Sequence, residues 1–336
     1  MDELRTPGRR GVLKAMGLGA AVAATTFTVG PAAHAAVSAR PAPRQADQQW
    51  SNPIIRHIHT ADPAVLVHQD RVYLYAGRDV AAPGATDFLI NDWHVFSSDD
   101  LTTWTDHGPR LSWRDFSWSD GAAYASQCVE RDGRFYWYVP IADRGPAWFS
   151  IGVAVGDSPL GPFRDARGTP LVSGSDPSAP TLNIDPTVYV DPSGRAHLYW
   201  GSWWELRYAP LADDMISLAG PIQTISGLPG FWEAPFLHRR NDLYYLSYAA
   251  GGNPATIDYA TSSSPTGPWT FRGTVNGRVS SPTNHQAFFE FRGRWYIAYH
   301  TSDLPGGTQF RRSVCLDRVE YDAAGLMLPV QQTRQL

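Results

Sequence analysis

The chain has 336 residues, 43% hydrophobic and 18% charged, with a formal net charge of −4; this is ordinary globular composition, long enough for one large all-β domain or two smaller ones, and it excludes disorder over most of the length. The charge falls to −6 once residues 1–35, with four basic and two acidic side chains, are set aside; a mildly acidic body without a basic run excludes nucleic acid as a partner. Lys14 is the only lysine, so a domain that follows the leader has no Schiff-base lysine and no phosphate-loop lysine.

Residues 1–39 read as an export signal. Arg9-Arg10-Gly11-Val12-Leu13-Lys14 precedes a weakly apolar run from Ala15 to Gly30, and Ala33-His34-Ala35 offers a small-residue cleavage site. The paired arginines are of the twin-arginine type. The run is rich in Ala, Gly and Thr and shorter than the ~20 apolar residues a membrane span needs. The expectation is therefore a secreted, extracellular protein with no membrane contact in its mature form. Residues 40–50, with Pro41 and Pro43, read as a linker, and residues 51–336 as a single domain. Two cysteines, Cys128 and Cys315, are too few for a disulfide framework, and both lie in apolar runs that suit buried thiols.

From Asp62 onward a short apolar run leads repeatedly to a polar turn and then to an aromatic, alternating strand. The copies fall at 70–77, 132–138, 193–200, 241–248 and 292–300, each a hairpin signal with Gly, Asn or Asp at or beside the turn. Strand, turn and aromatic strand recur at 95–104, 152–163 and 258–269. Together these supply roughly four strands per repeat, a blade-sized unit, so five repeats predict an all-β, five-bladed β-propeller. A pair of β-sandwiches would use the same strands. No helical periodicity of useful length follows residue 50, which disfavours barrel and doubly wound α/β folds.

The first strand of a propeller blade lines the central channel, so residues at blade starts should converge. Those residues are Asp62, the stretch Tyr124 to Gln127, Asp185, Glu233 and His285, at intervals of 62, 61, 48 and 52. Glu233 stands beside Phe231 and Trp232, and a carboxyl wrapped in apolar surface tends to keep its proton, as a general acid must. Asp62 is the candidate partner that activates water or attacks directly, and a third carboxylate, Asp185, can raise the pKa of the acid by like-charge repulsion. Sugar C–H faces pack on aromatic rings, which makes Trp93, Trp203, Trp204 and Trp232 candidate stacking residues. Trp137, Trp200, Trp269 and Trp295 belong to the alternating strands and read as packing between blades. Asp87, Asp92, Glu205, Asp258 and Glu290 read as loop or solvated charges.

Four segments carry a family resemblance: Ala61-Asp62-Pro63-Ala64-Val65, Ile184-Asp185-Pro186-Thr187-Val188, Trp232-Glu233-Ala234-Pro235-Phe236-Leu237 and Asn284-His285. In that order, over residues 52–330, the chain resembles glycoside hydrolase family 43. The resemblance implies a five-bladed propeller and an inverting hydrolase, with Asp62 as general base, Asp185 as pKa modulator and Glu233 as general acid. It also implies that His285 sits on the channel axis, where a calcium ion or a water can be held through it, and that Arg312 reaches the substrate or the modulator. No cofactor is required by this chemistry. Tyr124-Ala125-Ser126 stands where many members carry Trp-Ala-Pro, a departure that bears on the sugar pocket. Tyr124, Gln127, Trp93, Trp203, Trp232, His285 and Arg312 are the expected substrate contacts. The expected partner is an arabinose- or xylose-containing oligo- or polysaccharide, cleaved at a terminal α-L-arabinofuranosyl or, second, a β-D-xylosyl residue. A retaining β-fructosidase-type propeller and a non-catalytic sugar-binding propeller are the competing readings.

Overall fold

The computed structural model describes residues 50–144 and 148–333, so the expected export signal and nearly all of the linker lie outside the described residues. Five antiparallel sheets follow one another along the chain as the blades of a propeller. Blade one holds β1 (Thr60–His68), β2 (Arg71–Asp79), β3 (Ile90–Ser98) and β4 (Thr105–Ser112). Blade two holds β5 (Ser119–Ala123), β6 (Gln127–Arg131), β7 (Arg134–Asp143), β8 (Phe149–Gly156) and β9 (Arg164–Asp165). Here β5 and β6 both pair with β7, so the innermost strand is interrupted at Tyr124-Ala125-Ser126. Blade three holds β10 (Thr187–Val190), β11 (Ala196–Trp200), β12 (Leu206–Leu211) and β13 (Gln223–Ile225); blade four holds β14 (Phe231–Arg240), β15 (Leu243–Ala250), β16 (Thr256–Ser262) and β17 (Thr270–Asn276). Blade five has three strands, β18 (Gln286–Phe291), β19 (Arg294–Thr301) and β20 (Ser313–Val319).

The first hairpin of several blades turns where the sequence places its polar pairs. Gln69 and Asp70, Asp132 and Gly133, and Arg292 and Gly293 take positive φ in succession, the backbone that matches the right-handed twist of the flanking strands. The second strands are buried along nearly their whole length, because each is covered on both faces by neighbouring blades; β7 and β15 are examples. That is why their aromatic residues do not alternate with polar ones. Trp93, Trp137 and Trp200 are wholly buried, and Trp137 meets Tyr75 of blade one edge-on at 4.8 Å between ring centres, a favoured aromatic geometry.

Two expectations change at this level. Trp93 cannot stack on a sugar: it is 0% exposed in the core between blades one and two, with its Nε1 donating to the Tyr124 carbonyl at 2.8 Å. Asp92 is no solvated charge; it is buried on β3 and accepts two hydrogen bonds from Arg78, at 2.9 and 2.6 Å. Cys128 and Cys315 are both buried and free.

The ring closes between blades five and one. Chain that precedes β1 lies along the free side of β20, with Ile54 N donating to Val314 O at 2.9 Å and Trp50 Nε1 to Leu316 O at 2.6 Å. Asn52 pairs with the Leu316 backbone in both directions, Nδ2 to Leu316 O at 2.9 Å and Leu316 N to Oδ1 at 2.8 Å. An edge strand is thereby covered by the segment that leads into β1. Asn52→Ala would leave the buried N–H of Leu316 unpaired, its carbonyl keeping Trp50 Nε1, so it should lower stability by about 2 kcal/mol; denaturant unfolding of the two proteins measures it, and a change under about 0.5 kcal/mol would contradict this account.

Candidate active site

Three blade starts share one local device. Asp62, Asp185 and Ala234 each precede a proline and each take the left-handed conformation, with φ of 53°, 59° and 56°. Left-handed backbone costs a side-chain-bearing residue roughly 1–2 kcal/mol, Asp less than most. In blades one and four the pairing register also slips there, between Ala61 and Ala64 and between Glu233 and Phe236. Such bulges break the alternation of a strand and re-aim a side chain. Here they turn Asp62 and Glu233 into the channel, where both line a small pocket with Asp185, Tyr124, His285, Arg312, Phe88 and His300.

Asp62 is held at its carboxylate and at its backbone. Arg312 Nη1 donates to Asp62 Oδ1 at 2.9 Å. The backbone N–H of Asp62 donates to His300 Nδ1 at 3.2 Å, while His300 Nε2 lies 3.0 Å from the Thr283 carbonyl, which can only accept. His285 Nδ1 stands 3.9 Å from Asp62 Oδ1. Burial pushes the Asp62 carboxyl up, but Arg312 and the two histidines outweigh it and hold the group well below the usual carboxylate range. Burial, helped by the charge of Arg312 and opposed by Asp62, lowers His285 to about 4, so its imidazole is neutral near pH 7.

Asp185 and Glu233 sit in the opposite condition. Burial raises Glu233 to about 7, with the charge of Asp62 adding to it and a hydrogen bond from Ser202 opposing it. Burial and then the charges of Glu233 and Asp62 raise Asp185 well above the carboxylate range, against a hydrogen bond from the Ala234 N–H at 3.0 Å. Two such neighbours titrate as a pair, and the pair retains one proton into the neutral range. The pocket therefore holds a carboxylate that stays ionised and, beside it, a carboxyl pair that keeps a proton.

Comparison with known proteins agrees with this geometry. The family described as Glycosyl hydrolases family 43 has a sequence model that matches residues 50–327. The chain belongs to this family. A xylosidase/arabinosidase 43A from Humicola insolens is 32% identical, across 81% of this chain and 97% of its own length. Among solved structures, a family 43 β-xylosidase/α-arabinofuranosidase from a compost metagenome, in complex with xylotriose, superposes with a TM-score of 0.75 at 31% identity, covering 83% of this chain and 96% of its own. An α-L-arabinofuranosidase from Clostridium thermocellum matches at 35% identity and a TM-score of 0.69, over 81% and 94% of the two chains. The protein is thus a glycoside hydrolase.

Within this family 43 pocket the expected residues divide. Asp62, Tyr124, Asp185, Glu233, His285 and Arg312 come together. Gln127 does not: it is buried beside the pocket and its side chain accepts from the Val188 N–H at 2.5 Å, tying blade two to blade three. Trp203 packs edge-on against Trp148 at 6.1 Å, away from the pocket lining. Trp232 is half-buried and meets Trp204 at 4.4 Å, and Trp204 is 65% exposed, so this pair forms an aromatic ledge next to Glu233. The hydrogen bonds of Arg312 run to Asp62 and Asp79; of its two expected targets, the substrate and the modulator Asp185, the latter receives none of them. Asp79, Phe88, Ser202 and His300 escaped the sequence reading because none lies at a blade start. Ser202 Oγ donates to Glu233 Oε2 at 3.0 Å from the turn between β11 and β12. That turn depends on Gly201, where φ is 134° and a Cβ would fall 2.0 Å from the Glu205 carbonyl.

Calcium takes six to eight oxygen ligands; with the His285 nitrogen in the channel and Asp62 already engaged by Arg312, an ion there would be held largely through water. Among the described residues no three His, Cys, Asp or Glu side chains converge to hold a metal.

The Ser202 hydrogen bond favours ionised Glu233, so Ser202→Ala should raise the Glu233 pKa further. Carboxyl titration by isotope-edited infrared or NMR spectroscopy reads this directly, and an unchanged or lowered value would contradict the assignment.

Proposed function

We propose that the protein is an inverting exo-acting hydrolase that removes terminal α-L-arabinofuranosyl or β-D-xylosyl residues from arabinoxylan and its oligosaccharides. The observation that carries this reading is the contrast within one pocket between an ionised Asp62 and the proton-retaining pair Asp185 and Glu233. Glu233 donates its proton to the glycosidic oxygen as the bond from that oxygen to the anomeric carbon breaks. Asp62 accepts a proton from water as the water oxygen bonds to the anomeric carbon. Asp185 keeps the pair protonated by its proximity and fixes the Glu233 segment through the Ala234 N–H. Both protons exchange with solvent to reset the site. The small pocket suits one terminal sugar, and the buried Tyr124 hydroxyl, with no hydrogen-bond partner among the described residues, is left to meet a sugar hydroxyl. The choice of polymer rests on relatives: a Bacillus subtilis protein 31% identical to this chain is named an arabinoxylan arabinofuranohydrolase, and the metagenomic structure binds xylotriose. The Arg9-Arg10 leader supports export to where such polymers occur.

Hydrolysis of a panel of p-nitrophenyl glycosides, with the product anomer followed by NMR, tests the reading. Release from the α-L-arabinofuranoside or β-D-xyloside with inversion is expected; retention would reassign Asp62 as a nucleophile, and no release from these or from soluble arabinoxylan would overturn it. Asp62→Asn and Glu233→Ala should each lower kcat by about 10²- to 10⁴-fold, and a variant within about 3-fold of wild type would remove that residue from its role. Exhaustive chelation should leave kcat unchanged, since no step runs through an ion; a loss restored by calcium would contradict this.

A further inference from the structure

Asp79 touches neither the expected acid nor the expected base, yet its carboxylate is the most tightly engaged next to the pocket. It closes β2, and its side chain is 0% exposed. Oδ2 accepts from Arg312 Nε at 2.9 Å and from the Arg312 backbone N–H at 2.8 Å, and Oδ1 accepts from Nη2 at 3.0 Å. One edge of the guanidinium is thus consumed by Asp79 in fork geometry, while Nη1 is left for Asp62. The ring of Phe88 stacks against the guanidinium at 4.9 Å and closes the other side.

We propose that Asp79 is a positioning residue for the base: by fixing one edge of Arg312 and sharing its charge, it aims the remaining N–H at Asp62 and leaves Asp62 able to take a proton from water. The inference rests on the hydrolase reading above. Its physical basis is charge apportionment. Arg312 faced by Asp62 alone would be a fully uncompensated cation against the base, and a carboxylate bound to such a cation is a poor proton acceptor. With Asp79 present, the guanidinium is divided between two carboxylates, and both contribute to holding it charged, against its burial. The other charged or titratable groups that face Arg312 are Glu233, Asp185 and Tyr124 around the pocket, and His285. Those on the Asp79 side are His59 and Arg311.

The test compares Asp79→Asn with Asp79→Glu on an aryl glycoside that the wild type cleaves, after thermal melts have set an assay temperature below both transitions. Asp79→Asn removes a buried negative charge, so Arg312 acts more strongly on everything else in the pocket. Its kcat should fall at least about 10-fold with KM within about 3-fold. The alkaline limb of its pH profile, set by the Asp185 and Glu233 pair, should move to lower pH by roughly half a unit or more, because a less compensated cation favours the ionised pair. Asp79→Glu keeps the charge on a longer arm, so its alkaline limb should stay in place and its kcat should lie between the two. Equal kcat in all three proteins, or equal losses with the limb fixed in both variants, would reduce Asp79 to a strut between blades and overturn the proposal. Should Asp79→Asn not fold, the decision passes to Asp79→Glu, where a lowered kcat with KM within about 3-fold of wild type supports it, and an unchanged kcat, or a loss that falls on KM, overturns it. A wild type that cleaves no glycoside overturns the hydrolase reading and takes this inference with it; an active wild type with an indifferent Asp79→Asn removes the inference alone.

Discussion

Arg312 lies between two buried carboxylates drawn from the same end of the first blade's hairpin, Asp62 at the start of β1 and Asp79 at the end of the antiparallel β2, and it enters from the last blade. Buried charges are tolerated only when paired and hydrogen-bonded, and removing one partner from such a pair typically costs about 3–5 kcal/mol. Blades five and one are therefore joined by an interaction that cannot be partly made. The same seam carries the backbone bond from Thr60 N to Arg312 O at 2.9 Å and the Asn52 clasp on β20. Ring closure and the ionisation of Asp62 are consequences of one arrangement, so the geometry of the base is inherited from the closure of the propeller.

Positioning on the other side of the pocket uses backbone strain in place of ion pairing. Ala234 takes φ of 56°, and its N–H reaches Asp185, so the two acidic blade starts are locked to each other across the interface of blades three and four. The cost of that conformation is met by the continuous sheet on either side, β14 with β15 being paired over their whole length apart from the slips beside Glu233. Where a strand must deliver a carboxylate to a channel, a bulge is more exact than a loop, because the strand continues and holds it.

The repeat itself was legible from the sequence, and so was the set of residues at its phase. An acidic residue one or two positions ahead of a proline at blade starts is a local signal, and the left-handed backbone at Asp62, Asp185 and Ala234 is its structural counterpart. What local pattern could not separate is orientation along a strand. Trp93 and Trp232 both precede or occupy strands rich in aromatics, yet one is sealed between blades and the other borders Glu233. Gln127 follows the break between β5 and β6 and so points to the neighbouring blade, a consequence of an interruption that nothing in residues 124–127 announces. Asp79, Ser202 and His300 act through partners 233, 31 and 238 positions away; the first and last of these contacts exist only once the ring has closed, and the Ser202 contact only once blade four has packed on blade three.

The pocket's charges explain why its two halves are built so differently. Asp62 must remain ionised while a neighbouring carboxyl keeps a proton, although burial acts on both in the same direction. Only a fixed cation on one side and its absence on the other can separate them. Arg312 hydrogen-bonds to Asp62, whereas Glu233 receives the neutral Ser202 hydroxyl, and its other carboxylate neighbour is Asp185. Moving the guanidinium a single hydrogen-bond length toward Glu233 would lower both groups together and abolish the contrast. The Asp79 fork prevents that movement, since it ties the guanidinium and the Arg312 backbone to the same carboxylate. A site that needs an acid and a base within one burial environment thus depends on where a single positive charge is held.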